Sequence, residues 1–168
     1  TSETRKSRVG QRGLISCLAF NPDFSGIFAA GSYGRTIGLY VENDPRAVLA
    51  ELCGHVGGVT QVLFSNCGNY LYSGARRDNE VLCWDIRNTC AVLQRLPRTV
   101  ASNQRIGFDV DPSGRYLATG TTEAKALVYD LQTGELVRTI QDEAVFSDAV
   151  NCVSFCRATG RKLALSTG

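Results

Sequence analysis

Histidine is almost absent from this chain: His55 stands alone, and none of the seven cysteines forms a Cys-x-x-Cys pair with another. A structural zinc takes about four nitrogen and sulfur ligands at characteristic spacings, so no metal and no cofactor is expected. An odd number of thiols without secretory features favours reduced cysteine. Cys17, Cys83 and Cys152 lie in apolar stretches and are expected to be buried as small hydrophobes. No apolar run approaches the roughly 18–20 residues a membrane helix needs. The start, TSETRKSRVGQRG, has basic residues but not the apolar stretch of a secretory signal. Neither a membrane nor a small-molecule substrate is expected as a partner. A phosphate-cradling glycine loop, a nucleophile elbow and a zinc-protease helix are all missing, so the chain is not expected to be an enzyme. Asp109 and Asp111 flank a strand end beside Pro-Ser-Gly, where carboxylates cap turns, and do not read as an acid–base pair.

What is present is turn chemistry and repetition. Seventeen glycines point to the many tight turns of a short-stranded β protein. Four alternating apolar segments, LISCLAF, VTQVLF, IGFDV and VNCVSF, end on Phe20, Phe64, Val110 and Phe155, so the pattern recurs every 44 to 46 residues. Each is followed by a turn (NPDFSG, SNCG, DPSG, CRATG) and a second short strand. In the first three repeats a third strand follows, ending near Tyr40, Trp84-Asp85 and Tyr129-Asp130. The period-two alternation, rich in Val, Leu, Phe and Tyr, excludes a helical solenoid of similar repeat length.

A repeat near 45 residues with several strands per unit is that of a four-stranded propeller blade, whose faces are covered only by stacking blades around an axis. The second repeat opens with Gly54-His55 and closes its third strand with Trp84-Asp85, the marks of a WD40 repeat. In that family a His, Ser/Thr, Asp and Trp at such spacings brace one blade, which selects His55, Ser73, Asp78 and Trp84 as a structural tetrad. The neighbouring repeats lack it, with Gly34 and Glu123 in place of Asp78 and Tyr in place of Trp. The fold class is therefore all-β: a WD40 β-propeller of about three and a half blades, expected to be a fragment of a seven-bladed ring. The chain divides into 1–10 (a linker or the end of a preceding blade), repeats at 11–50, 51–96 and 97–140, and a truncated repeat at 141–168.

The net charge of +2 is too small to identify a nucleic-acid binder, so the placement of the arginines matters more. In a propeller the loop entering the first strand and the loop joining the second to the third open on the same face. That scheme puts Arg12, Tyr33 and Arg35 of blade one, Arg76 and Arg77 of blade two, and Gln104 and Arg105 of blade three on one rim, with Gln11, Asn103 and Lys125 beside them. Guanidinium groups grip phosphates and stack on bases, and an aromatic ring adds a stacking platform. Charged loops are also the ordinary surface of a propeller. The residues alone leave RNA or another anion and a protein or peptide as open alternatives.

The strings SRVGQRGLISCLAFNP, GSYGRTIGLY, GHVGGVTQVLF, SGARRDNEVLCWDIR and NQRIGFDVDPSG resemble the telomerase Cajal body protein family over roughly residues 4–120. The resemblance implies an RNA-binding scaffold that recognises the CAB-box loop of small Cajal body RNAs and of telomerase RNA. It implies partners in the H/ACA ribonucleoprotein core and the telomerase reverse transcriptase complex, and residence in the nucleus and its Cajal bodies with a cytoplasmic pool. The alternative expectation is a generic WD40 scaffold for proteins, without direct RNA contact. ELCGH before the second repeat and QDEAVFSDAV before the fourth depart from the pattern.

Overall fold

Short β-branched and aromatic runs separated by Gly, Pro, Asn and Asp fold here as hairpins joined into small sheets. A computed structural model describes residues 11–142, 147–158, 160 and 162–167, and these hold fourteen strands and no helix. The first blade is β1 (Ile15–Phe20), β2 (Ile27–Ser32), β3 (Thr36–Val41) and β4 (Asp44–Cys53). The second is β5 (Val59–Phe64), β6 (Tyr70–Ala75), β7 (Glu80–Asp85) and β8 (Gln94–Pro97). The third is β9 (Phe108–Val110), β10 (Tyr116–Gly120), β11 (Ala126–Asp130) and β12 (Leu136–Ile140), and a fourth sheet pairs β13 (Val150–Phe155) with β14 (Leu163–Thr167). Every sheet is an antiparallel meander in chain order, as a partial propeller requires. Residues 1–10, read as a linker or the end of a preceding blade, lie outside the described residues.

The core sits between blades, not within them. Ala29, Ile37, Leu39 and Leu52 of the first blade meet Val62, Phe64, Leu71, Leu82 and Trp84 of the second. Tyr72, Val81, Cys83 and Leu96 then meet Phe108, Val110, Leu117 and Tyr129 of the third. Each large side chain buried in this way contributes roughly 1.5–3 kcal/mol. Phe20 is 63% exposed while Phe64, its counterpart one repeat later, is 6% exposed. The difference is positional: Phe64 packs toward the first blade, and no described blade lies against Phe20.

Polar side chains tie the innermost strands together. Gln61 donates from Nε2 to the Phe108 carbonyl (2.7 Å) and accepts from the Phe108 N–H (3.2 Å), reproducing a backbone pairing across the gap between blades. Asp111 does cap its turn, accepting from the N–H groups of Ser113, Arg115 and Tyr116. Asp109 does not. It reaches the fourth sheet, accepting from Phe155 N–H (2.8 Å) and pairing with Arg157 (2.6 Å).

The cysteine expectation needs correction. Cys83 is buried, and burial pushes its thiol up to about 12. Cys17 is only partly covered, and Cys152 is exposed. The register shift between Val150 and Cys152 recurs at Ile15/Cys17 of β1, where Cys17 packs against the second blade; no described blade lies against the same face of β13, so Cys152 is exposed.

Candidate nucleic-acid interface

Antiparallel meanders send the β2–β3, β6–β7 and β10–β11 loops to the same end of the sheets as the segments that lead into β1, β5 and β9. In blade two that end is held by the tetrad. His55 Nδ1 lies 2.7 Å from Asp78 Oδ2 and Nε2 lies 2.8 Å from Ser73 Oγ, while Trp84 Nε1 donates to the same hydroxyl at 2.8 Å. Trp84 can only donate, so the Ser73 proton goes to Nε2 and the imidazole carries its proton on Nδ1, facing Asp78. Burial opposes the charge on Asp78. Hydrogen bonds from His55 and Val56 N–H, together with the Arg98 charge, nevertheless hold its carboxyl below the usual carboxylate range. Ser73 is fully buried and its hydroxyl is shared between His55 and Trp84; the assembly joins the segment entering β5 to the loop after β6.

Blade one braces the same end with other residues. Gln11 occupies the position of His55, donates from Nε2 to the Thr36 carbonyl (2.8 Å) and the Ala30 carbonyl (3.0 Å), and accepts from the Tyr40 hydroxyl (3.4 Å). In blade three the Tyr129 hydroxyl donates to the Pro97 carbonyl. These repeats do lack the histidine, aspartate and tryptophan of the tetrad, although Thr119 stands at the position of Ser73 in blade three, and the bracing has been rebuilt by an amide and two phenols.

The structure brings the rim residues to one end across three blades. The guanidinium of Arg76 lies over the Tyr33 ring, 4.4 Å from its centroid, joining blade two to blade one. Gly58 makes room for the pair, since a Cβ there would stand 3.0 Å from Tyr33 and 3.1 Å from Arg76 Nε. Tyr33 remains 40% exposed. Arg77 donates its N–H to the Ser102 carbonyl (3.1 Å), joining blade two to blade three, and Gln104 N–H donates to Ser102 Oγ (3.0 Å). Arg12 lends its carbonyl to Ser32 Oγ (2.8 Å) while its side chain stays exposed. Arg105 is exposed. Burial raises the Cys17 thiol, and the charge of Arg105 is one of the weaker influences that oppose it.

Acidic neutralisation at this end is slight. Asp78 is buried in the tetrad, Glu80 is held by Arg95, and Glu123 pairs with Lys125. Among the described residues Arg12, Arg35, Arg76, Arg77 and Arg105 form no ion pair. Two of them sit on strained backbone: Arg35 has φ 71° and Arg77 φ 50°. Left-handed backbone costs a side-chain-bearing residue roughly 1–2 kcal/mol. Ala124 in the β10–β11 loop has φ 58° as well, so a left-handed residue recurs in this loop of each of the three blades.

Arg98 gave no sequence signal. Its guanidinium is buried between blades two and three, donating from Nη1 to the Ile106 carbonyl (2.9 Å) and Thr119 Oγ1 (3.0 Å). Burial lowers its pKa to about 10, against the opposing pull of Asp78. Nε and Nη2 have no partner among the described residues. Gly74 provides the space, since a Cβ there would lie 2.7 Å from Nη2.

Meandering four-stranded sheets, a braced blade and a loop-built rim define a WD-repeat propeller scaffold. The WD domain, G-beta repeat family matches residues 46–85, from the outer strand of the first blade to the end of the third strand of the second. The curated relatives narrow the likeness. The chain is similar to telomerase Cajal body protein 1 of Mus musculus, 49% identical over 128 residues, covering 76% of this chain and 24% of that protein. It is also similar to telomerase Cajal body protein 1 of Homo sapiens, 47% identical over 127 residues, with 76% and 23% covered. A further match is guanine nucleotide-binding protein negative regulator 1 of Schizosaccharomyces pombe, 34% identical over 112 residues, with 66% and 28% covered. The chain spans about a quarter of the length of the telomerase Cajal body proteins it matches. These matches bear out the resemblance carried by the loop strings.

Proposed function

We propose that the arginine-bearing end of blades one to three binds single-stranded RNA. The loop bound is the CAB box of telomerase RNA and of small Cajal body RNAs. The chain then serves as the RNA-reading part of a scaffold that joins the H/ACA core proteins and the telomerase reverse transcriptase complex in nuclear Cajal bodies, with a cytoplasmic pool. The observation that carries this reading is the Tyr33–Arg76 stack at 4.4 Å, set among exposed arginines that form no ion pair among the described residues. An aromatic ring with one face held by a guanidinium is a ready platform for an unpaired base, and the flanking arginines suit the phosphates on either side. Its role is binding and positioning. Replacing Arg76 and Arg77 with Glu in the full-length protein should leave folding intact and remove RNA from ultraviolet crosslinks and pulldowns. Unchanged RNA recovery would overturn the assignment.

The similarity to a regulator of guanine nucleotide-binding proteins supports a second reading, in which the same rim grips a protein. In that case nuclease treatment leaves the partner set intact.

A further inference from the structure

The opposite end of the sheets carries an unexplained residue. There the β5–β6 and β9–β10 turns match, and the fourth residue of each is glycine with left-handed backbone: Gly68 (φ 75°) and Gly114 (φ 75°), while the β1–β2 turn is one residue longer and has a left-handed glycine at its end, Gly26 (φ 74°). The first turn, Asn21-Pro22-Asp23-Phe24, puts phenylalanine at that place with φ 61°. A bulky residue in this region is an outlier, and glycine is the residue that takes such backbone without strain. The strained side chain is also 99% exposed. It therefore gains nothing from packing against the described residues.

We propose that Phe24 anchors a protein-docking surface on the end of the sheets away from the arginines, and that its partner is a protein presenting an apolar pocket bordered by lysine or arginine. An aromatic knob surrounded by polar groups is the form that interface hot spots take. The charges around it choose the partner. Asp23 adjoins Phe24, and Glu42 flanks the end of the same turn, where its side chain lies 3.1 Å from the place a Cβ would take on Gly26. Among the described residues neither carboxylate forms an ion pair. Hydrogen bonds from the Ser25 hydroxyl and N–H keep Asp23 below the usual carboxylate range, so its charge persists at neutral pH. Two carboxylates at this turn repel nucleic-acid phosphates and anionic lipid, and attract a basic protein surface. This surface is separate from the arginine rim, so the proposal does not depend on the RNA reading.

The test places p-benzoyl-phenylalanine at position 24 of the full-length protein in cells, identifies the photo-crosslinked species by mass spectrometry, and then purifies that protein alone. The expected result is a crosslink to a second protein, whose affinity weakens at least tenfold with Phe24→Gly and also with Asp23→Lys plus Glu42→Lys. The charge reversal should also remove most of the salt dependence. Phe24→Gly should leave the melting temperature unchanged or raise it, and RNA recovery should stay constant. A photoproduct confined to the chain itself, a crosslink to RNA, or no photoproduct would overturn the proposal. So would an affinity unchanged by Phe24→Gly, or a melting temperature lowered by several degrees, which would mark Phe24 as an internal packing residue.

Discussion

Replacing Arg35 and Arg77 with glycine should raise stability and weaken RNA binding together, because both arginines hold left-handed backbone at exposed positions. Relief of that backbone returns roughly 1–2 kcal/mol per site. The extra freedom of glycine in the unfolded chain removes roughly 0.5–1 kcal/mol of this. Each variant should therefore gain between zero and about 1.5 kcal/mol in urea unfolding of the full-length protein. On the RNA side, each phosphate of a single strand that is no longer neutralised lowers the slope of log K against log salt by about 0.7, which is about fivefold in affinity at 0.1 M salt. The double variant should bind about 25-fold more weakly by the same relation. Arg35→Ala is the control, since it removes the charge but keeps the strain; it should match Arg35→Gly in RNA affinity and gain no stability. Fluorescence anisotropy with a labelled CAB-box loop across a salt series reads the affinities. Glycine variants destabilised by about 1 kcal/mol or more, or that bind RNA with unchanged affinity and slope, would refute the reasoning.

His55→Ala strands the buried Asp78 carboxylate and the Ser73 hydroxyl, and should cost about 3–5 kcal/mol in urea unfolding, with Trp84 emission shifted to longer wavelength. Gly74→Ala drives a methyl against Arg98 Nη2 and the Phe108 ring, and should cost about 1–3 kcal/mol by thermal melting. Because the folded carboxyl of Asp78 sits below its ordinary value of 3.8, its contribution to stability is complete above about pH 4 and is lost as the pH falls further; Asp78→Asn should flatten that part of the stability–pH curve. Gln61→Leu removes both bonds to Phe108 and should cost about 1–3 kcal/mol while leaving each blade's own strand pairing intact, as seen by amide exchange.

The parts of this molecule that are legible in the sequence are those set by neighbours in the chain. Alternation in VTQVLF, the turn residues of SNCG and DPSG, and the spacing of His55, Ser73, Asp78 and Trp84 are all local patterns, and they appear in β5, β6 and β7 of the second blade. The arginine loops are legible for the same reason, since an antiparallel meander dictates which loops share an end. Cys152 escapes its expected burial because its face of β13 is one that a neighbouring blade covers, and no described blade lies there, whereas Cys17 at the same place in β1 packs against the second blade. Gln11 carries no local sign of its bracing role, because its partners, Ala30, Thr36 and Tyr40, stand 19 to 29 residues away and nothing in its own segment announces them.

Composition, periodicity and turn chemistry by themselves determined that the chain forms stacked antiparallel blades, and that its arginines gather where the β2–β3 and β6–β7 loops emerge. Tertiary structure decided the rest: the Tyr33–Arg76 stack, the buried Arg98 with two nitrogens unpartnered among the described residues, and Phe20 exposed where Phe64 is covered. The physical reason is distance along the chain. Hairpin pairing depends on adjacent strands and leaves its pattern in a few residues, whereas blade–blade packing joins groups about one repeat apart, such as Gln61 and Phe108 at a separation of 47. Packing at that range follows from shape and volume, which no single stretch of the sequence records.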